Sequence, residues 1–177
     1  ESMNISIREP KLSDANNFIT AMQNSQQLHA PWVSAPVTLD EYQNYLLRFQ
    51  QGHAKSYLSL VDNTYIAGVF NISEIVLGCF QSAYLGFYAT QNFAGKGLMS
   101  KALKLVLKEV FCTLKLHRIE ANIQPENHQS IRLVEANGFN REGYSPRYLK
   151  INQEWRDHVR FALNYEDWSQ LNAKYKS

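Results

Sequence analysis

The chain has 177 residues, about one domain's worth at roughly 150 residues per domain, with Lys plus Arg 18 against Asp plus Glu 16 and a formal charge of +2. Hydrophobic residues at 45%, aromatic at 12% and charged at 19% supply a core; this excludes a disordered tail, and the near-neutral balance argues against a dedicated DNA-binding protein. No apolar run approaches the ~20 residues that span a bilayer, and the polar first 17 residues hold no apolar signal-peptide core, so a cytoplasmic protein off the membrane is expected.

Glu1 and Ser2 precede Met3 and are read as an expression scar, leaving 3–177 as one domain. Residues 4–9 alternate and predict a first strand. Ser13 or Asp14 is the expected N-cap of a polar helix to about Ser25. A loop over 29–36 carries Pro31-Trp32. Thr38 caps a second helix, in which Leu39, Tyr42, Leu46 and Phe49 recur at helical spacing until Gly52. Residues 56–61 and 65–72 flank Asp62-Asn63 and predict a hairpin. Residues 82–90 alternate Leu85, Phe87 and Ala89 against Tyr84 and Tyr88. A long helix covers 98–111, with Met99, Leu103, Val106 and Val110 in one stripe and Lys101, Lys104 and Lys108 on another, solvated face. Residues 117–124 form a buried strand that Pro125 breaks. Asn127 opens a helix stopped at Asn137-Gly138. Strands over 139–144 and 155–164, joined by a turn near Asn152-Gln153, and a short helix over 166–172 complete the chain. The order implies one mixed α+β sheet with helices on its faces, not a regular βαβα repeat.

Cys79 and Cys112 stand far apart with no CxxC pair and read as free core thiols in a reducing compartment. None of the five histidines sits in a metal-ligand spacing, so no metal is expected.

Two segments carry chemistry. The first, Asn92-Phe93-Ala94-Gly95-Lys96-Gly97, joins a strand to the long helix, where closely spaced glycines and free helix N–H groups suit a phosphate. A P-loop needs Gly-Lys followed by Ser or Thr, and Gly97 follows Lys96. A dinucleotide GxGxxG needs a third glycine where Ser100 stands, and Glu120 comes late for the ribose acid. The third reading is the pyrophosphate loop (Gln/Arg)-x-x-Gly-x-(Gly/Ala) of acetyl-CoA-dependent N-acetyltransferases, with Asn92 departing at the first position. A tight turn without a ligand is the alternative. The second segment, Asn127-His128-Gln129-Ser130 followed by Leu133 and Gly138-Phe139, resembles the Asn-x-x-Ser helix of the same superfamily, although Asn127 is also an ordinary N-cap. One strand lies between the two helices, so adjacent parallel strands can part between them.

The chain resembles the Rim-type branch of the GCN5-related N-acetyltransferases (GNAT) over its full length. The matching stretches are Tyr84-Leu85-Gly86, Gly95-Lys96-Gly97-Leu98-Met99, His117-Arg118-Ile119, Leu133, Gly138-Phe139, Glu142-Gly143-Tyr144 and, specific to the branch, Trp155-Arg156-Asp157-His158-Val159. The resemblance implies a mostly antiparallel twisted sheet of about seven strands with a splayed central parallel pair and helices on both faces. It implies acetyl-CoA as cosubstrate and acetylation of a protein N-terminus, in particular an N-terminal alanine of a small-subunit ribosomal protein, by direct attack in a ternary complex.

Under that resemblance Phe87, Tyr88, Ala89, Asn92, Phe93, Ala94, Gly95, Lys96, Gly97, Leu98, Met99, Ser100, Asn127 and Ser130 would hold acetyl-CoA. Backbone N–H groups near Tyr88 would meet the thioester oxygen. Ser130 would hydrogen-bond the leaving sulfur, and Asn127 would fix the pantetheine amide or a water. For the base, Glu74, Glu120, Glu154, Asp157 and His158 are open, with Glu74 and Glu120 ranked first, although a structural role is favoured for each and, for Glu120, which sits opposite the buried Ile119 and Ile123, that role is solvent or a salt bridge. Trp32 and Tyr148, expected in loops, are the candidate acceptor-site aromatics. Competing readings are transfer to a small amine (an amino acid, polyamine or antibiotic), a non-catalytic acyl-CoA-binding or ribosome-assembly module, and nucleotide binding. The oligomeric state stays open.

Overall fold

The computed structural model describes residues 3–173; Glu1, Ser2 and residues 174–177 of the expected domain lie outside the described residues. The elements are β1 (Ile5–Arg8), α1 (Ala15–Asn24), a short α2 (Gln26–His29), α3 (Leu39–Phe49), β2 (Lys55–Val61), β3 (Tyr65–Val76), β4 (Ser82–Ala89), α4 (Leu98–Lys108), β5 (Arg118–Ile123), α5 (His128–Ala136), β6 (Asn140–Ile151), β7 (Glu154–Asn164) and α6 (Tyr165–Ala173). The strands form one sheet in the order β1-β2-β3-β4-β5-β7-β6. Every neighbouring pair is antiparallel except β4 and β5. Among the described residues no helix is long and apolar enough to cross a membrane.

The two faces are covered by different helices. Ala102, Leu103 and Val106 of α4 and Val134 of α5 pack on Leu85, Ile119, Ala121, Phe161 and Leu163. Phe18 and Met22 of α1 join Tyr42, Leu46 and Phe49 of α3 over Leu58, Leu60 and Val69. Helical spacing on the helices meets period-two alternation on the strands, so each face closes a core. Thr38 caps α3 by accepting the Glu41 N–H at 3.2 Å, and the Glu41 carboxylate accepts the Val37 N–H at 3.1 Å. Asn152 and Gln153 both have positive φ, 49° and 73°, as a two-residue hairpin turn requires.

Several expectations are corrected. Asp14 holds the N-cap position of α1, but its side chain makes no cap bond there. Its carboxylate instead accepts the Lys11 N–H at 2.8 Å and both ends of the Arg8 guanidinium at 2.7 Å. The long helix leaves α geometry at Lys108 and widens into a π turn over Glu109–Thr113. β6 does not stop at 144. It continues past Pro146 through an irregular stretch between Ser145 and Leu149, where Asp157 accepts the Arg147 N–H at 2.8 Å and the Tyr144 hydroxyl at 2.5 Å. Tyr148 therefore lies in a strand rather than a loop. Cys79 and Cys112 are free but exposed, not core thiols, because one lies in the β3–β4 loop and the other on the outer side of the π turn. Lys104 is not simply solvated: its ammonium donates to Asn137 Oδ1 at 2.9 Å, tying α4 to the end of α5.

Gly68 of β3 admits the Met99 side chain. A Cβ there would fall 2.4 Å from Met99 Sδ and 3.1 Å from Ser59 Oγ, so something must shift. Gly68→Ala is expected to lose about 1–3 kcal/mol through overpacking, read by urea denaturation. No loss would show that Met99 has another place to go.

Acid sensitivity follows from three buried groups. His29 and His158 are 5% and 3% exposed, and burial pushes both imidazoles below their ordinary value. Below about pH 6.5 the unfolded chain then binds more protons than the folded one, so the stability present above that pH is lost as pH falls. Asp14, held below the carboxylate range first by its hydrogen bond to Arg8, adds a second loss below about pH 4. Urea midpoints are expected to fall continuously from pH 7 to pH 4. His158→Gln should lessen the slope between pH 6.5 and 5, and an unchanged slope would overturn this assignment.

Candidate functional site

The parallel pair is short. Ser82, Ala83 and Tyr84 pair with Arg118, Ile119 and Glu120, and there the pairing ends. Beyond it β4 stays with β3, as far as Ala89 opposite Gly68, while Ala121 to Ile123 of β5 stay with β7. The two strands part from Leu85 onward. Alternation along β4 decides which backbone groups face the gap. The Thr90 N–H donates to Ala67 O at 3.0 Å and the Arg118 N–H donates to Gln81 O at 3.1 Å. Odd-numbered residues of β4 therefore turn their backbone groups away from β3, and the N–H groups of Phe87 and Ala89 face the gap. Tyr88, the expected centre for these donors, spends its backbone groups on β3.

At the open end of the gap the chain enters the glycine turn. Gly95 and Gly97 have φ of +76° and +74°, with nothing within 4 Å of where a Cβ would stand. Gly97 is the N-cap of α4. Two left-handed residues just ahead of a helix turn successive N–H groups to one side and set them at the positive end of the helix dipole, an anion seat.

A cavity of about 400 Å³ connects these parts. Gly95, Gly97 and the first turn of α4 line it, as do Asn127 and Ser130. Phe87, Tyr88 and Ala89 of β4 line it too, together with His29, Trp32 and Val33 from the segment after α1. Asn127 Oδ1 accepts the Ser130 N–H at 3.3 Å and so caps α5, leaving the Ser130 hydroxyl with no partner among the described residues. Phe93, Ala94, Leu98, Met99 and Ser100 also line the cavity, whereas Asn92 and Lys96 do not. Lys96 places its ammonium 5.7 Å from the centre of the Phe93 ring.

The expected acid–base residues stand apart from this cavity. Glu120, the β5 partner of Tyr84, takes two hydrogen bonds from Arg118, at 2.7 and 3.0 Å. Arg118 also pairs with Glu142. Glu74 is exposed at an irregularity of β3, with φ of 52°. Glu154 pairs with Arg156 at 2.7 Å. His158 is buried against the Arg156 carbonyl, 2.9 Å from its Nδ1. Tyr148 stands edge-on to His158, ring centres 6.3 Å apart, and does not line the cavity. Trp32 does, on a turn tied down by Gln124 Nε2 to Pro31 O at 3.2 Å and by Asn152 Nδ2 to Ala30 O at 2.6 Å.

His29 escapes the reading of the sequence. Its Nε2 lies 2.7 Å from Ala89 O, and its ring meets Tyr88 edge-on at 5.1 Å. Beside it Ser25 Oγ accepts the Gln91 N–H at 2.9 Å. Both partners lie in the strand exit some sixty residues away, so no local pattern announces them.

A sheet split at one parallel pair, with an anion seat at the mouth of the split, is the architecture of an acyltransferase domain. Residues 4–140 match the family model of the acetyltransferase (GNAT) domain, and the chain belongs to that family. The ribosomal protein uS5-alanine N-acetyltransferase of Escherichia coli (strain K12) is 44% identical over 108 residues, 61% of this chain and 56% of that protein. The chain thus spans little more than half the length of that curated relative. The probable N-acetyltransferase YjcK of Bacillus subtilis (strain 168) is 36% identical over 130 residues, 73% of this chain and 71% of that one. The crystal structure of ribosomal-protein-S5-alanine acetyltransferase from Vibrio fischeri superposes with a TM-score of 0.84 at 26% identity, covering 95% of this chain and 97% of that one.

Proposed function

We propose that the chain transfers an acetyl group from acetyl-CoA to the N-terminal α-amino group of a protein, with an N-terminal alanine of a small-subunit ribosomal protein as acceptor. One observation carries the reading: a single cavity is lined by the left-handed glycine turn, by Ser130 and by Phe87 to Ala89, the stretch of β4 that lies beyond its pairing with β5. The residues present fit acetyl-CoA. N–H groups at Gly95 to Gly97 and the first turn of α4 would take the diphosphate. Met99 and Leu133 offer apolar walls to the pantetheine arm, and the backbone of Phe87 and Ala89 offers its amides a strand-like partner. The names of the relatives support the acceptor class.

The chemistry suits an α-amine. It titrates near 7.7–8.0, against about 10.4 for lysine, so a sizeable fraction is neutral near pH 7. The thioester oxygen gathers negative charge as the amine attacks, and the N–H groups of Phe87 and Ala89 are fixed donors on the gap side. The Ser130 hydroxyl donates to the departing sulfur, and Asn127 orients the helix that carries it.

A thermal-shift panel of acetyl-CoA, NAD and ATP tests the donor, because only a ligand of the folded state raises the melting temperature. Stabilisation by acetyl-CoA alone is expected, followed by mass-spectrometric detection of acetate on an Ala-initiated peptide. Acetylation of spermidine or free amino acids instead of the peptide would move the acceptor to small amines. Binding of acetyl-CoA with no turnover on any amine would leave an acyl-CoA-binding module.

A further inference from the structure

We propose that His29 accepts the proton of the attacking amine, a role that rests on the transferase reading above. The composition of the cavity wall narrows the choice. Only His29, Tyr88 and Arg132 among its lining residues titrate, and no carboxylate lines it. The Arg132 guanidinium offers donors and no acceptor, and burial raises the Tyr88 phenol, so neither takes a proton at neutral pH. Glu120, Asp157 and Glu154 are engaged elsewhere, and Glu74 is exposed outside the cavity.

The tautomer of His29 is set by its partner. The Ala89 carbonyl can only accept, so the nitrogen 2.7 Å from it, Nε2, carries the hydrogen. In the neutral ring the lone pair then sits on Nδ1. Among the described residues Nδ1 has no hydrogen-bond partner. The buried polar side-chain atoms without a partner are Ser59 Oγ and Arg160 Nε, so Nδ1 is not sealed in, and His29 lines the cavity. Burial holds the imidazole below its ordinary value, and it is neutral at pH 7. Tyr88 of β4 meets its ring edge-on, and Arg132 of α5 is the other charged or titratable residue lining the same cavity. α2 does not drift, because Ser25 and His29 bolt it to the exit of β4. Trp32, three residues on, brings the acceptor side of the cavity to the same ring.

The proton count closes. The acceptor enters as an ammonium and gives one proton to Nδ1, leaving a neutral amine and an imidazolium. The nitrogen lone pair forms the C–N bond at the thioester carbonyl, and the carbonyl π pair moves to oxygen. When that pair returns, the C–S bond breaks and sulfur leaves with its electrons. A second proton leaves nitrogen and ends on the sulfur at the Ser130 side. The imidazolium releases its proton to water, so one ammonium and one thioester become one amide, one thiol and one proton.

His29→Gln separates proton transfer from positioning, because the glutamine amide N–H2 can still donate to Ala89 O but cannot titrate. Both His29→Gln and His29→Ala are expected to lower kcat/KM for an Ala-initiated peptide about 5- to 10-fold at pH 7, where only the neutral fraction of an amine titrating near 7.7–8.0 is left to react. The Kd for acetyl-CoA should stay within about twofold in the glutamine variant, in keeping with the typical size of an acid–base effect on the chemical step alone. The wild-type profile should level off above an apparent pKa below about 6.5. The variant should climb until the amine ionises by itself near pH 8, closing the gap there. A glutamine variant with wild-type rate and profile would overturn the proposal and leave His29 a positioning residue. A rise in the Kd for acetyl-CoA matching the loss of rate would overturn it too. Wild-type protein that acetylates no amine refutes the transferase reading itself, a different result. Should His29→Ala fail to fold, the glutamine variant alone decides.

Discussion

Gly97→Val is expected to weaken acetyl-CoA binding about 100-fold while leaving the melting temperature nearly unchanged. Gly97 sits at φ +74° with open space where a side chain would project. An L-residue there costs about 1–2 kcal/mol, and a β-branched one is more crowded still. The chain relieves that strain by moving φ to a negative value, which swings the N–H groups at the start of α4 off the anion seat. A hydrogen bond to a charged group contributes about 1.5–3 kcal/mol, so the loss of one or two reaches the 2.7 kcal/mol that corresponds to 100-fold. Fold stability is spared because the turn packs against nothing at that point. Gly97→Ala should fall between the two. Titration calorimetry with acetyl-CoA reads the effect; an affinity within about twofold of wild type would mean that the diphosphate sits elsewhere.

Ser130→Ala is expected to lower kcat about 10- to 100-fold with acetyl-CoA affinity unchanged, because the hydroxyl acts on a sulfur that becomes charged only as the bond breaks. The local geometry keeps two roles apart. Asn127 spends its side-chain oxygen on the Ser130 N–H, so the amide caps the helix while the hydroxyl stays free. Asn127→Ala should therefore cost about 1 kcal/mol of stability in urea denaturation. Ser130→Ala should cost little, and Ser130→Thr should restore most of the rate by keeping a hydroxyl. Unchanged turnover in Ser130→Ala would remove Ser130 from the chemistry.

The sheet was legible because its signals are short-ranged. Leu85 and Phe87 alternate with Tyr84 and Tyr88 within one strand, and the α4 stripe repeats within three turns, so face and element type follow from neighbours a few residues away. The left-handed turn at Gly95 and Gly97 and the Asn127 cap of the next helix were legible for the same reason: each is set within a few residues of its own turn. β6 misled because Pro146 removes a donor, an ordinary stop signal, and only Asp157 on the opposing strand shows how the strand continues. The alternation of Glu120 against Ile119 and Ile123 points to solvent or a salt bridge rather than to a base, and Arg118, two residues before it, holds it in an ion pair on the sheet.

What the amino-acid order decides here is each segment's own preference: which turns run left-handed, which helix ends are capped, which strand face is apolar. These are energies of residues within a few positions of one another. Where β4 and β5 part, which carbonyl His29 meets and whether a carboxylate reaches the cavity depend on groups 36 to 60 residues apart. Long-range hydrogen bonds and packing set those distances, and they exist only once the sheet has closed.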